Sequence, residues 1–147
     1  MGYFGALDIS ASGLTAQRLR MDTISQNIAN VSTTRTADGT PYRRKVTLFE
    51  ERTEPGLFGG YLHSAAKGDN IGIGVRVASI LKDDAPFKLV YEPGHPEANA
   101  DGYVSMPNVD VVTEMINMIS ASRSYEANVT SINTTKSLAN KALEIGR

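Results

Sequence analysis

The sequence contains no cysteine. That excludes disulfide frameworks, cysteine-ligated zinc and thiol nucleophiles. It leaves the compartment open, and it suits an oxidising place where a stray thiol could mispair. Histidine is nearly as scarce, with only His63 and His95, so base-dependent catalysis has few places to start. An excess of charge of one sign is also missing, and the formal net charge is -1. No strong field therefore draws the chain to nucleic acid or anionic lipid. No apolar run approaches the roughly 18 residues of a membrane-spanning helix. The start, from Met1 to Asp8, carries no Lys or Arg, and Asp8 cuts its apolar stretch short, unlike a secretory signal. The expected location is the cytoplasm, or a destination reached by a route that leaves no cleavable signal.

What remains is a chain of 147 residues, 41% hydrophobic and 21% charged, the balance of a folded domain or of a small domain with helical extensions. Proline and glycine punctuation divides it into three. Residues 1–30 predict an N-terminal helix, uninterrupted by proline. Leu7, Leu14, Met21 and Ile28 recur every seven residues, with Ala11, Ile24 and Val31 beside them. Ser10, Gln17, Arg20, Asp22 and Gln26 read as its polar positions. Asn30, able to take a left-handed conformation, is expected to end the helix.

Residues 31–107 hold all six prolines and predict a β-rich middle domain. Strands are expected over Tyr42 to Phe49, Ile71 to Ser79 and Phe87 to Tyr91, with Val46 and Leu48 as the apolar side of the first. Residues 108–147 predict a second helix, with Asn108 as N-cap and Asp110 in the first turn. Val111, Met115, Met118, Ser122, Tyr125, Val129, Ile132, Lys136, Ala139 and Leu143 follow the 4-3 spacing of a coiled-coil seam. The expected fold is thus α+β, with long N- and C-terminal helices pairing as an antiparallel coiled coil around a β-rich insert. The expected helix-packing and subunit-interface residues are Leu7, Leu14, Met21, Ile24, Ile28, Val111, Met115, Met118, Tyr125, Val129, Ile132 and Leu143.

Signs of chemistry are weak. His95 lies among Glu92, Glu97 and Asp101, but prolines flank it and the spacing fits no metal motif, so an ordered surface loop outweighs a metal site. Gly72-Ile73-Gly74 lacks the third glycine of a dinucleotide loop and sits inside a predicted strand, where glycine more simply permits a close approach or a bulge. Tyr42-Arg43-Arg44-Lys45 reads as a solvated strand face rather than a nucleic-acid contact. No catalytic residue, cofactor, metal or small-molecule substrate is expected.

Two stretches go beyond periodicity. Ser25-Gln26-Asn27-Ile28-Ala29-Asn30, followed by Ser32-Thr33, resembles the N-terminal motif of bacterial flagellar rod and hook proteins. Pro107-Asn108-Val109-Asp110-Val111-Val112-Thr113-Glu114-Met115, then Ser120-Ala121-Ser122-Arg123-Ser124-Tyr125-Glu126-Ala127-Asn128, resembles their C-terminal motif. The residues that carry the resemblance are Asn27, Ala29, Asn30, Asn108, Asp110, Glu114, Arg123, Tyr125, Glu126 and Asn128. The extra stretch Thr34 to Pro41 and the segments around Tyr91-Glu92-Pro93-Gly94 and Gly102-Tyr103-Val104 resemble the proximal-rod branch of this family.

The resemblance implies a structural, non-enzymatic subunit of the basal-body rod. It implies export, uncleaved, through the flagellar type III apparatus, and helical polymerisation through the terminal helices into a hollow shaft crossing the periplasm. The implied neighbours are other copies, other rod proteins and the export-gate and membrane-ring base. Other readings are a different rod or hook component, a metal-binding or enzymatic module using the His95 loop, and a free-standing coiled-coil adaptor.

Overall fold

The computed structural model describes residues 3–52 and 73–145. Among these residues, two long helices flank four short strands in chain order: α1 (Tyr3–Ala29), β1 (Lys45–Glu51), β2 (Val75–Lys82), β3 (Lys88–Tyr91), β4 (Tyr103–Met106) and α2 (Val111–Ile145). The fold is α+β, with a small two-sheet antiparallel region between the helices.

α1 stays helical for 27 residues despite its many hydroxyls. Thr15 and Thr23 donate to the carbonyls of Ala11 and Leu19, 3.1 and 2.8 Å away, so Thr23 is buried with its hydroxyl satisfied. The helix ends at Ala29 without the left-handed residue expected at Asn30, since no described non-glycine residue has positive φ. Instead the Asn30 side chain donates to the Gln26 carbonyl (2.8 Å) and accepts from the Thr33 hydroxyl (3.2 Å). The following stretch closes on itself through Thr36 N–H to Thr40 O (2.9 Å), and Tyr42 N–H returns to Thr33 O (3.1 Å).

α2 begins two residues later than an Asn108 cap would place it. Asp110 is the cap: its carboxylate accepts from the Thr113 hydroxyl at 2.6 Å and from the Thr113 N–H at 3.3 Å. Asn108 does another task, described below.

Contacts between the helices run in opposite directions along the chain. Ser10 meets Ser131 (3.2 Å between hydroxyls), Gly13 lies under Asn128, and Asn27 meets Glu114 (2.9 Å). A Cβ on Gly13 would sit 2.9 Å from the Asn128 amide nitrogen, so this glycine lets the two helices approach closely.

The face α1 turns inward is Ser10, Gly13, Ala16, Thr23, Ile24 and Asn27, all buried. Leu7, Leu14, Met21 and Ile28 flank it, half-buried. On α2, Met118, Tyr125, Ile132 and Ala139 are half-buried as the 4-3 series expects, but their companions are Glu114, Ala121, Asn128 and Thr135. Met115 and Lys136 are exposed, and Ser122 and Val129 are half-buried. The inward stripe is therefore turned by one residue from the apolar one. Small and polar side chains hold the closest positions because they permit contact at short range and satisfy each other.

β1 and β2 pair antiparallel, from Lys45 opposite Lys82 to Glu51 opposite Val75, with a register shift between Leu48 and Phe49. The predicted period holds but its phase is reversed. Thr47 and Phe49 are half-buried, while Val46 and Leu48 are 40% and 50% exposed. β2 starts at Val75, inside the predicted Ile71 to Ser79 strand, and continues past it to Lys82, while Ile71 and Gly72 lie outside the described residues. β4 has no counterpart among the expected strands; it pairs with β3 from Lys88 opposite Met106 to Tyr91 opposite Tyr103.

Gly74 fastens the first sheet to α1. Its φ is +127°, and a Cβ there would overlap the Ser12 hydroxyl oxygen. That oxygen accepts the Val75 N–H at 3.1 Å while its own proton goes to Ile9 O at 2.6 Å. Gly74→Ala combines backbone strain with overpacking and should cost about 2–4 kcal/mol. A urea titration that found the variant within about 0.5 kcal/mol of the parent, an ordinary surface effect, would remove this anchor from the account.

Candidate functional site

The densest chemistry lies where α1, β1 and α2 meet. Asn27 sits in the last turn of α1 and is 1% exposed. Its amide nitrogen donates to Lys45 O (2.8 Å) and to Glu114 Oε2 (2.9 Å). Its carbonyl oxygen accepts from Tyr42 OH (3.0 Å) and from Lys45 N–H (2.9 Å). All four hydrogen-bonding positions of the amide are used, which is what makes a buried asparagine tolerable.

Glu114 is a buried acid in the first turn of α2, its side chain 1% exposed. Its second oxygen accepts from Arg44 Nε (2.8 Å) and Nη2 (2.7 Å). Arg44 continues to Asp83 at 3.4 Å. Asn108 completes the ring, accepting the Arg44 N–H at 2.8 Å and donating to Asp83 O (3.1 Å) and Ala85 O (3.2 Å). Arg43 stacks over Phe87, 4.5 Å from its centroid, and donates to Asp83 O (3.0 Å).

Burial pushes the Tyr42 hydroxyl above its ordinary value, and the Glu114 charge adds to that. Burial works to lower Arg44, but the hydrogen bond and charge of Glu114, then Asp83, outweigh it and hold the guanidinium above its usual range. The Ala85 N–H holds the Asp83 carboxyl below its ordinary value against a smaller opposing effect of burial, with Arg44 helping. A depressed carboxyl stabilises the fold above its unfolded pKa, and that contribution is lost as pH falls through the lower folded value. The melting temperature should therefore be flat from about pH 7 to 5 and decline below about pH 4, less steeply in Asp83→Asn. An equal decline in both would remove Asp83 from the acid response.

The structure thus gathers Asn27, Asn108 and Glu114 into one junction, together with Tyr42, Arg44 and Asp83, which are not among the expected site residues. Tyr42 and Arg44 are parts of it rather than a solvated strand face. Asn128 lies against Gly13, Tyr125 is half-buried, and Arg123 and Glu126 are exposed. Ala29 is exposed at the end of α1. Val111, Met115 and Leu143 are exposed. His95 lies in a turn, where its Nδ1 accepts the Glu97 N–H at 3.1 Å. Among the described residues no three His, Asp or Glu are grouped to hold a metal, and no helix is long and apolar enough to cross a membrane.

Both ends of the chain match known proteins. Residues 7–35 match the family model described as flagella basal body rod protein, and residues 100–145 match that of the flagellar basal body rod FlgEFG protein C-terminal region. The flagellar basal-body rod protein FlgC of Borreliella burgdorferi is 52% identical over 99% of this chain and 98% of its own. The chain belongs to the FlgC family. The FlgC of Bacillus subtilis is 49% identical over the full length of both chains, and that of Aquifex aeolicus 39% over 98% of this chain and 97% of its own. Membership of the FlgC family makes this a structural rod subunit of the flagellum. Both family matches contribute to the junction, one with Asn27 and the other with Asn108 and Glu114.

Proposed function

We propose that the subunit polymerises helically through its terminal helices, which pair as an antiparallel coiled coil, and so forms part of a hollow shaft across the periplasm. It reaches that place through the flagellar type III export apparatus, without a cleaved signal. It has no catalytic role. Its neighbours are other copies, other rod proteins and the export-gate and membrane-ring base.

The observation that best supports this reading is the uncovered apolar face of α2. Val112, Met115, Ile116 and Ile119 are each more than half exposed, on the helix that the Glu114 junction holds rigidly to α1 and β1. In a polymer, neighbouring subunits cover such a face, and burial there contributes about 25 cal/mol per Å². Val111 and Leu143 join it as interface residues, with Leu7, Leu14, Met21 and Ile28 on the flank of α1. Immunogold labelling of a tagged chain on purified basal bodies tests the proposal. Label on the rod is expected; label confined to the cytoplasm or the outer filament would refute it.

A further inference from the structure

A cleft of about 280 Å³ opens between α1, β1 and the first turns of α2. Ile24, Val46 and Phe49 line it with apolar surface, and Arg20 stands among them. The Arg20 guanidinium lies 6.0 Å from the centre of the Phe49 ring. It has no hydrogen-bond acceptor or carboxylate among the described residues. The acid that lines the cleft, Glu114, is already engaged with Arg44. A half-buried guanidinium on an aromatic face, without an acceptor, presents its donors to an incoming carboxylate.

A second surface of the same chain has the complementary character. On the outward side of α2, Val112, Ile116 and Ile119 follow helical spacing and are 65%, 63% and 53% exposed. Glu126 comes one heptad after Ile119 on that side. Its carboxylate accepts one long hydrogen bond, from the Ser122 hydroxyl at 3.4 Å, and meets no cation among the described residues.

We propose that the cleft of one copy receives the outward stripe of α2 from a second copy, with Glu126 of the incoming helix paired to Arg20. The apolar residues supply the attraction and the ion pair sets the register. The two surfaces are different patches of one chain. Each contact leaves one cleft and one stripe free, so the arrangement propagates instead of closing into a pair. This inference rests on self-assembly through the terminal helices and names the surfaces that carry it.

Charge reversal tests the pair. Arg20→Glu and Glu126→Arg should each lower the amount of this subunit in purified basal bodies by about tenfold, and the double reversal should restore most of it. Circular dichroism melts of the free proteins keep misfolding out of the reading. The absence of cysteine allows a direct second test that leaves the ion pair intact. Val46→Cys combined with Ile119→Cys should give an oxidation-dependent ladder of linked copies in basal bodies, and neither single variant should. A double reversal as poor as the singles, a missing ladder, or linkage to a different rod protein would each overturn the proposal. Parent protein absent from the rod would overturn self-assembly itself. Normal incorporation of both single reversals would overturn this contact alone.

Discussion

Replacing Glu114 with alanine is expected to bring the free chain to the edge of unfolding. The carboxylate is 1% exposed and accepts from Arg44 and Asn27 at 2.7 to 2.9 Å. Its loss leaves a partly buried guanidinium without its main partner and an amide proton without an acceptor. Breaking a buried pair from one side costs about 3–5 kcal/mol. Whole domains of this size hold only about 5–15 kcal/mol. The urea midpoint should fall accordingly, and swimming should fail with it. Glu114→Gln keeps an acceptor for Asn27 and should lose less. Arg44→Met combined with Glu114→Leu should recover part of the stability, since an apolar pair of similar volume replaces the buried ion pair while the Asn27 amide proton still lacks its acceptor. An alanine variant that melts with the parent would show that the junction does not hold the helices.

Ile132→Asp should keep the chain out of the rod while leaving it made. Ile132 is half-buried on the side of α2 that faces α1, one heptad beyond Tyr125 and near the Ser10–Ser131 contact. No cation is engaged there among the described residues, so the new carboxylate loses solvation without gaining a partner. At this level the first sheet is fastened to α1 through Ser12, but no hydrogen bond among the described residues ties it to α2, unlike the end near Glu114. Opening it should separate α1 from α2 locally and remove the surface that assembly needs. A subunit-specific blot of purified basal bodies measures this directly. Normal incorporation with normal swimming would show that this stretch of the seam is dispensable.

The helices and most strands are legible in the amino-acid sequence, because hydrophobic period and glycine or proline punctuation are local properties. Both helices stand within a few residues of their expected places. The rotation of the seam is not legible there. Leu7, Leu14, Met21 and Ile28 mark a helix correctly, yet the closest approach runs through Ser10, Gly13 and Asn27. Apolar spacing cannot show that, because small and polar residues pack inward only when the partner helix supplies matching groups at the right height. The same holds for β1, where Val46 and Leu48 reveal a strand but not which side faces α1. β4 escapes such a reading because Tyr103–Met106 spans only four residues and gains its hydrogen bonds from β3.

The candidate site divides along the same line. Asn27, Asn108, Asp110 and Glu114 stand out through the family motifs, so their importance can be read but not their tasks. Asp110 is the helix cap, and Asn108 a bridge between Arg44 and the Asp83 to Ala85 carbonyls. Tyr42, Arg44 and Asp83 carry no readable signal, since each looks like an ordinary surface residue in its own segment. The sequence alone determined the period of each element, the absence of cysteine, the near-balance of charge, and the family. Tertiary structure decided which side of each helix turns inward and which acid meets which arginine. Those depend on contacts between residues as far apart as Asn27 and Glu114, and burial converts such contacts from weak surface pairings into the interactions that hold the fold.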